Sequence, residues 1–316
     1  MGGGNYVARY RMTIAYDGTD FCGWQKQSPP EGGAPVGLRM EPVAAIAENE
    51  LESDPLARGA SNGAEGGGIG AEPNTARVDL RTVQEVVERA VRAVVREPVV
   101  LSGASRTDSG VHARGQVAAF MCSSESERGI GWPLDRGTEG LVKAINSRLP
   151  ADVLVLDAAA APEDFNPIKG ATSKLYTYTI WNSSTRPLWE RRTALHIWTP
   201  LDIARMSEAA KLIEGEHDFA AFAAAGHGRT STVRTVFSCR VREEPTGDVQ
   251  ACRIVIEVCG NGFLWNMVRI IAGTLVEAGR QRIGTERIGE ALRTGKRELA
   301  GPTLPPRGLC LEWIKY

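Results

Sequence analysis

The order of apolar and polar positions divides the chain into segments of distinct period. Tyr6 to Tyr16 (YVARYRMTIAY) alternates roughly and predicts a strand. Leu80 to Arg96 (LRTVQEVVERAVRAVVR) instead puts Val83, Val86, Val87, Ala90, Val91, Val94 and Val95 on one stripe, which predicts a helix. Thr82 and Glu85 have the spacing of a capping box at its start. A short strand is expected in PVVLSG, another from Gln116 to Met121, a helix from Thr138 to Arg148 and a strand from Val153 to Ala158. The first half reads strand, helix, strand, loop, strand, helix, strand.

Past Pro162 a similar order returns. Lys174 to Trp181 (KLYTYTIW) alternates clearly, and Val233 to Val241, Cys252 to Val258 and the closing GLCLEWIKY also read as strands. Helices are expected from Pro200 to Glu214, with proline near the start, from Asn261 to Gly279, ending on glycine, and from Ile283 to Arg293. The pattern predicts an α+β protein of two related domains, 1–161 and 162–316, with antiparallel or mixed sheets flanked by helices. From Ser28 to about Asn74 the pattern lapses into SPPEGGAPVG and SNGAEGGGIGAEPN, with little to bury. This predicts a disordered surface insertion (28–76) in the first domain, dispensable for turnover, with a short helix from Met40 to Leu51 inside it.

Composition adds a few exclusions. Apolar residues make up 42% and charged residues 24% of the 316, as in ordinary soluble proteins. No apolar run approaches membrane-spanning length, and MGGGNYVARYRM lacks a signal core, so a cytoplasmic protein is expected. The formal net charge of −1 gives no global positive field, so a polyanionic partner would need a local basic patch. The six cysteines form no C-x-x-C pair and are expected as free thiols, without a disulfide framework or zinc site.

Against these runs, Ser105 to Val117 (SRTDSGVHARGQV) stands out. It lies between two predicted strands, at the mouth of a sheet. Gly110 and Gly115 allow unusual backbone angles and close approach of a ligand. Arg106 is placed to hold Asp108 ionised and oriented, and such a carboxylate serves as nucleophile or general base. On its own an R-x-D reads as a turn aspartate with its arginine, and His112 as a hydrogen-bonded loop histidine; no metal-ligand spacing lies near it.

The run RTDSGVHARGQV resembles the catalytic signature of the tRNA pseudouridine synthase A family. Six further stretches resemble the family's segments in family order: YDGTDFCGWQKQ, TVQEVVERA, INSRLPADVLV, KLYTYTIWN, NMVRIIAGTLVEAGR and GLCLEWIKY. Only the insertion lies outside. The resemblance implies the pseudouridine synthase fold, with an active-site cleft between the two domains, and a homodimer acting on uridines 38 to 40 of the tRNA anticodon stem-loop, without cofactor or metal. It implies that Asp108 is the catalytic aspartate, that Arg106 takes part in flipping the base, that Tyr176 packs on the target uracil and that Arg269 pairs with Asp108. An unpaired Arg269 on so apolar a helix would be costly, which by itself predicts a carboxylate partner. Lys26, Arg114, Lys143, Arg148, Lys169 and Lys174 are candidate phosphate contacts, beside Arg106. Trp24 reads equally as a base-stacking residue or a core tryptophan. The aspartate is suited to stabilise positive charge at C1′, to attack there or to take a proton; the sequence leaves all three open.

Two positions depart from the family pattern. Ser105 replaces a common glycine, and Ile168 stands where an arginine is usual, with Lys169 beside it as a less planar substitute. Two other readings compete: the same chemistry on a different RNA or site set, and an RNA-binding protein without catalysis.

Overall fold

The computed structural model describes residues 7–26, 80–124, 129–224, 230–247 and 251–316. The predicted insertion, with its helix over 40–51, lies outside the described residues up to residue 79.

The strands, in chain order, are β1 (Val7–Tyr16), β2 (Ser102–Gly103), β3 (His112–Ser123), β4 (Val153–Ala161), β5 (Ser173–Asn182), β6 (Leu195–Ile197), β7 (Gly215–Asp218), β8 (Val233–Pro245), β9 (Cys252–Gly260) and β10 (Leu309–Lys315). The helices are α1 (Val83–Val95), α2 (Thr138–Asn146), α3 (Ile203–Lys211), α4 (Met267–Gly279) and α5 (Thr285–Thr294). The alternation in β1 is realised: Ala8, Tyr10, Met12, Ile14 and Tyr16 face inward and are buried. The stripe of α1 buries Val83, Val86, Val87, Ala90, Val91 and Val95, each valine contributing roughly 1.5–3 kcal/mol by leaving water.

All ten strands join one mixed sheet, an α+β arrangement. Its order is β4-β1-β3-β10-β5-β9-β8-β7, with β2 on β3 and β6 on β5. Neighbours are antiparallel except β3 with β10 and β5 with β6. Strands from 1–161 thus meet strands from 162–316 where β10 lies between β3 and β5. Leu311 on β10 sits opposite Ala113 on one side and Tyr176 on the other. That register carries Tyr176 to the start of β3, beside the loop that leads into it.

Three local expectations are corrected, and two short strands had gone unpredicted. The capping box does not form: Thr82 is the N-cap residue but makes no capping bond, and its buried hydroxyl has no partner among the described residues. Two of the first-turn amides are instead taken by another segment. Val83 N–H donates to Gly23 O at 3.1 Å and Gln84 N–H to Trp24 O at 2.9 Å. The strand expected in PVVLSG shrinks to Ser102–Gly103, because the Leu101 amide donates to the Glu88 side chain at 3.0 Å instead of to a ladder. The helix expected from Asn261 begins only at Met267. Asn261 pairs with Thr235 through both its amide and its side chain, and Asn266 takes a left-handed φ of 61°. Finally, β6 and β7, of three and four residues, are too short to show as alternation.

Candidate active site

The loop from β2 to β3 carries Asp108, and its neighbours hold its shape. The side-chain amide of Gln116 bonds both ways with the Ser105 backbone: N–H of Ser105 donates to Oε1 at 3.2 Å, and Nε2 donates to Ser105 O at 2.6 Å. The turn segment that follows β1 clamps the other side. Tyr16 and Thr107 share a hydroxyl–hydroxyl bond of 2.8 Å, Trp24 N–H donates to Thr107 O at 3.0 Å, and Gly110 N–H donates to Phe21 O at 3.2 Å. The two motifs YDG…GWQ and RTDSG therefore form one contact. Trp24 is buried and packs near Tyr16, so it is a core tryptophan and not a stacking surface.

A turn closes between Asp108 O and the Val111 amide, with Gly110 at a φ of 76°. Gly110 thus has the unusual backbone angle expected of it. Gly115 does not: a Cβ there would lie 2.3 Å from Glu312 O, so its glycine serves close packing on β10 and not a ligand.

The Asp108 side chain, 32% exposed, has a donor on each oxygen. The indole N–H of Trp265 donates to Oδ1 at 3.1 Å, and Nη1 of Arg269 to Oδ2 at 3.5 Å. Arg269 is itself anchored: Nε donates to Leu304 O at 2.6 Å and Nη1 to Asn266 Oδ1 at 2.7 Å. Burial pushes the Asp108 carboxyl above its ordinary range; Arg269 and the Trp265 bond pull it back without cancelling the rise. Burial likewise lowers the Arg269 guanidinium, opposed by Asp108. Both groups therefore sit where their charged forms depend on each other.

Arg106 does not share that role. It is exposed and makes no hydrogen bond or ion pair with the described residues, so the expectation that it holds Asp108 is corrected in favour of Arg269 and Trp265.

Tyr176 is buried on β5, its ring edge-on to Phe263 at 5.3 Å. Its hydroxyl bonds the Ser105 Oγ at 2.9 Å, and burial pushes it up to about 12, so it stays protonated at neutral pH. Ser105, in place of the family's common glycine, thus supplies a contact that glycine lacks. Lys174 Nζ also turns to this loop, donating to Ala104 O at 2.9 Å.

The remaining basic positions scatter. Lys26 is paired with Glu88, and Arg114 with Glu312 at 3.1 Å. Lys143 and Arg148 are exposed on α2 and just beyond it. Lys169 is exposed beside Ile168, which is 57% exposed; Asn166 Oδ1 accepts both their amides in a tight turn. His112 is a buried brace, with Nε2 2.9 Å from Arg192 O and Nδ1 3.1 Å from both the Gly18 amide and Asp17. All six cysteines are free. Among the described residues no three His, Cys, Asp or Glu side chains converge as metal ligands, and no helix is long and apolar enough to cross a membrane.

Sequence reasoning missed Trp265, Phe263 and Asn266. The signal was present in GNGFLWN, where two glycines and two asparagines interrupt the apolar run and argue for a loop carrying aromatics.

The site can be set beside known proteins. A family model described as tRNA pseudouridine synthase matches residues 209–316. The tRNA pseudouridine synthase A of Geotalea uraniireducens is 40% identical over 310 residues, covering 98% of this chain and 100% of its own. That of Geobacter sulfurreducens is 40% identical over 306 residues, 97% of this chain and 98% of its own. The tRNA pseudouridine synthase A 2 of Clostridium perfringens is 34% identical over 306 residues, again 97% and 98%.

Proposed function

The chain belongs to the tRNA pseudouridine synthase A family, and from that membership we propose that it acts on uridines 38 to 40 of the tRNA anticodon stem-loop. As a member it is an isomerase that converts uridine to pseudouridine in tRNA. The reaction breaks the C1′–N1 bond, turns the freed uracil and joins C1′ to C5. C5 loses a proton and N1 gains one, so no net oxidation or hydrolysis occurs and no redox cofactor is needed.

The observation that carries the site reading is the Asp108 carboxylate, part exposed and held by one donor on each oxygen. In this reading Asp108 is the reacting group. As an anion it stabilises the positive charge that develops at C1′ when the base departs, by electrostatic contact or by bonding there. Arg269 keeps it charged in a partly dry setting. Arg106, unpaired and exposed beside it, enters the space left by the extruded nucleotide. Tyr176 with Phe263 forms an aromatic floor for the uracil. Lys26, Arg114, Lys143, Arg148, Lys169 and Lys174 are retained as phosphate contacts, with Lys26 and Arg114 first having to exchange a carboxylate for a phosphate.

The division into 1–161 and 162–316 fits this reading: Asp108 comes from the first part and Tyr176, Trp265 and Arg269 from the second, so the cleft lies at their seam. The enzyme works in the cytoplasm as a homodimer.

Carbodiimide mapping of tRNA from a deletion strain tests the site assignment. Pseudouridine at 38 to 40 is expected to vanish and to return with the wild-type gene but not with Asp108→Asn. Retention of all three in the deletion strain would refute the positions, and an active Asp108→Asn enzyme the catalytic assignment.

A further inference from the structure

Trp265 is an exposed tryptophan whose polar atom is nevertheless committed. Half of its surface, 50%, remains open, while its indole N–H is directed at Asp108 Oδ1 at 3.1 Å. Its backbone is fixed. The Trp265 carbonyl accepts from the Ala224 amide at 3.1 Å, Leu264 before it is buried, and Asn266 after it takes the left-handed φ of 61° that delays α4. Asn266 in turn accepts from Arg269 Nη1 at 2.7 Å. Both donors to the carboxylate are thus presented by one short run, 265–269, whose internal bonds set their separation.

We propose that Trp265 is a positioning residue for the isomerisation: its indole N–H fixes the orientation of the Asp108 carboxylate towards the target nucleoside. This rests on the reading of Asp108 as the reacting group. With one donor on each oxygen the carboxylate plane cannot turn freely. Each oxygen still has a second lone pair for substrate. The bond also favours the ionised form, in the same sense as Arg269.

Two substitutions separate the N–H from the ring. Trp265→Phe keeps an aromatic face and loses the donor. Trp265→His loses the outer ring but can present Nε2–H where the indole N–H stood. The readouts are turnover of tRNA across pH, tRNA affinity by filter binding, and thermal unfolding to confirm that each variant folds. Trp265→Phe is expected to lower kcat roughly tenfold with tRNA affinity unchanged, the loss of one hydrogen bond to a charged group. Its acidic limb should move to higher pH, because the carboxylate loses a donor that favoured its charge. Trp265→His should recover part of both effects. A Trp265→Phe enzyme with wild-type kcat and an unmoved acidic limb would overturn the proposal, as would Trp265→His no better than Trp265→Phe. Asp108→Asn, assayed alongside, keeps the two levels apart. If it is active, the reading of Asp108 fails; if it is inactive while Trp265→Phe is normal, only the role of Trp265 fails.

Discussion

Replacing Arg269 by glutamine should weaken catalysis more than it weakens the fold. The guanidinium is 15% exposed and the Asp108 side chain 32%, with 3.5 Å between Nη1 and Oδ2. Two unit charges at that separation attract by about 1 kcal/mol in water and about 5 kcal/mol at an effective dielectric of 20. Partial exposure of Asp108 places the pair between these limits, so about 2 kcal/mol is a fair working figure. If that attraction serves the charged carboxylate in the transition state, kcat near neutral pH should fall roughly 30-fold. The acidic limb should also shift. Arg269 pulls the Asp108 carboxyl down, so its loss leaves burial less opposed and moves the limb to higher pH. Stability should change less. The bonds to Leu304 O and Asn266 are lost or weakened, but a guanidinium disfavoured by burial no longer has to be accommodated. The assay is release of tritium from tRNA labelled at uracil C5, since that hydrogen must leave. Arg269→Lys, charged but without the fork, should fall in between. An Arg269→Gln enzyme within twofold of wild type, with the same acidic limb, would refute the argument that this pair sets the state of Asp108.

Other expectations follow from single contacts. Because the folded-state pKa of Asp108 lies above its ordinary 3.8, ionised Asp108 opposes folding. That cost is absent well below pH 3.8, grows as pH rises from there towards the folded-state value and is constant above it, so the melting temperature of Asp108→Asn minus wild type should climb with pH from about 3.8 and then level off; a flat difference would contradict this. Glu88, 2% exposed, accepts from the Leu101 amide and pairs with Arg92 at 2.6 Å and with Lys26; Glu88→Ala should cost about 3–5 kcal/mol in urea unfolding, and a loss below about 1 kcal/mol would count against a structural role. Ser105→Gly removes the 2.9 Å partner of the Tyr176 hydroxyl and should lower stability by about 1 kcal/mol while retaining most activity, as measured by melting and tritium release.

The regular elements were legible because their periods were. The alternating apolar positions of β1 and the valine stripe of α1 each bury the face that the pattern assigned. That Arg269 needs a carboxylate was legible for a different reason, since a guanidinium on an apolar helix demands a counter-charge; that the carboxylate is Asp108 was implied by the family resemblance. What stayed hidden depended on contacts distant in sequence. At the Thr82 end of α1 no capping box forms, and the Val83 and Gln84 amides bond to Gly23 and Trp24, some 60 residues earlier in the chain. Arg106 looked closer to Asp108 than Arg269 by sequence, yet it points to solvent while the residue 161 positions away makes the bond. Trp265 was hidden inside a run that scans as helix until the left-handed Asn266 is seen. Nothing in the order of residues announced the parallel contact between β3 and β10.

That contact has a cost during protein synthesis. β3 acquires its inner neighbour β10 only after nearly two hundred more residues have been translated, about 10–40 s at ordinary ribosomal rates. Until then the start of β3, at His112 and Ala113, lacks that neighbour, while β2 covers Ala118 and Ala119 on the same edge; the open backbone groups at the start of β3 invite association with other nascent chains. The sheet's seam is therefore also its last joint to close, and the interval before closure is when shielding of that short edge would matter most to yield.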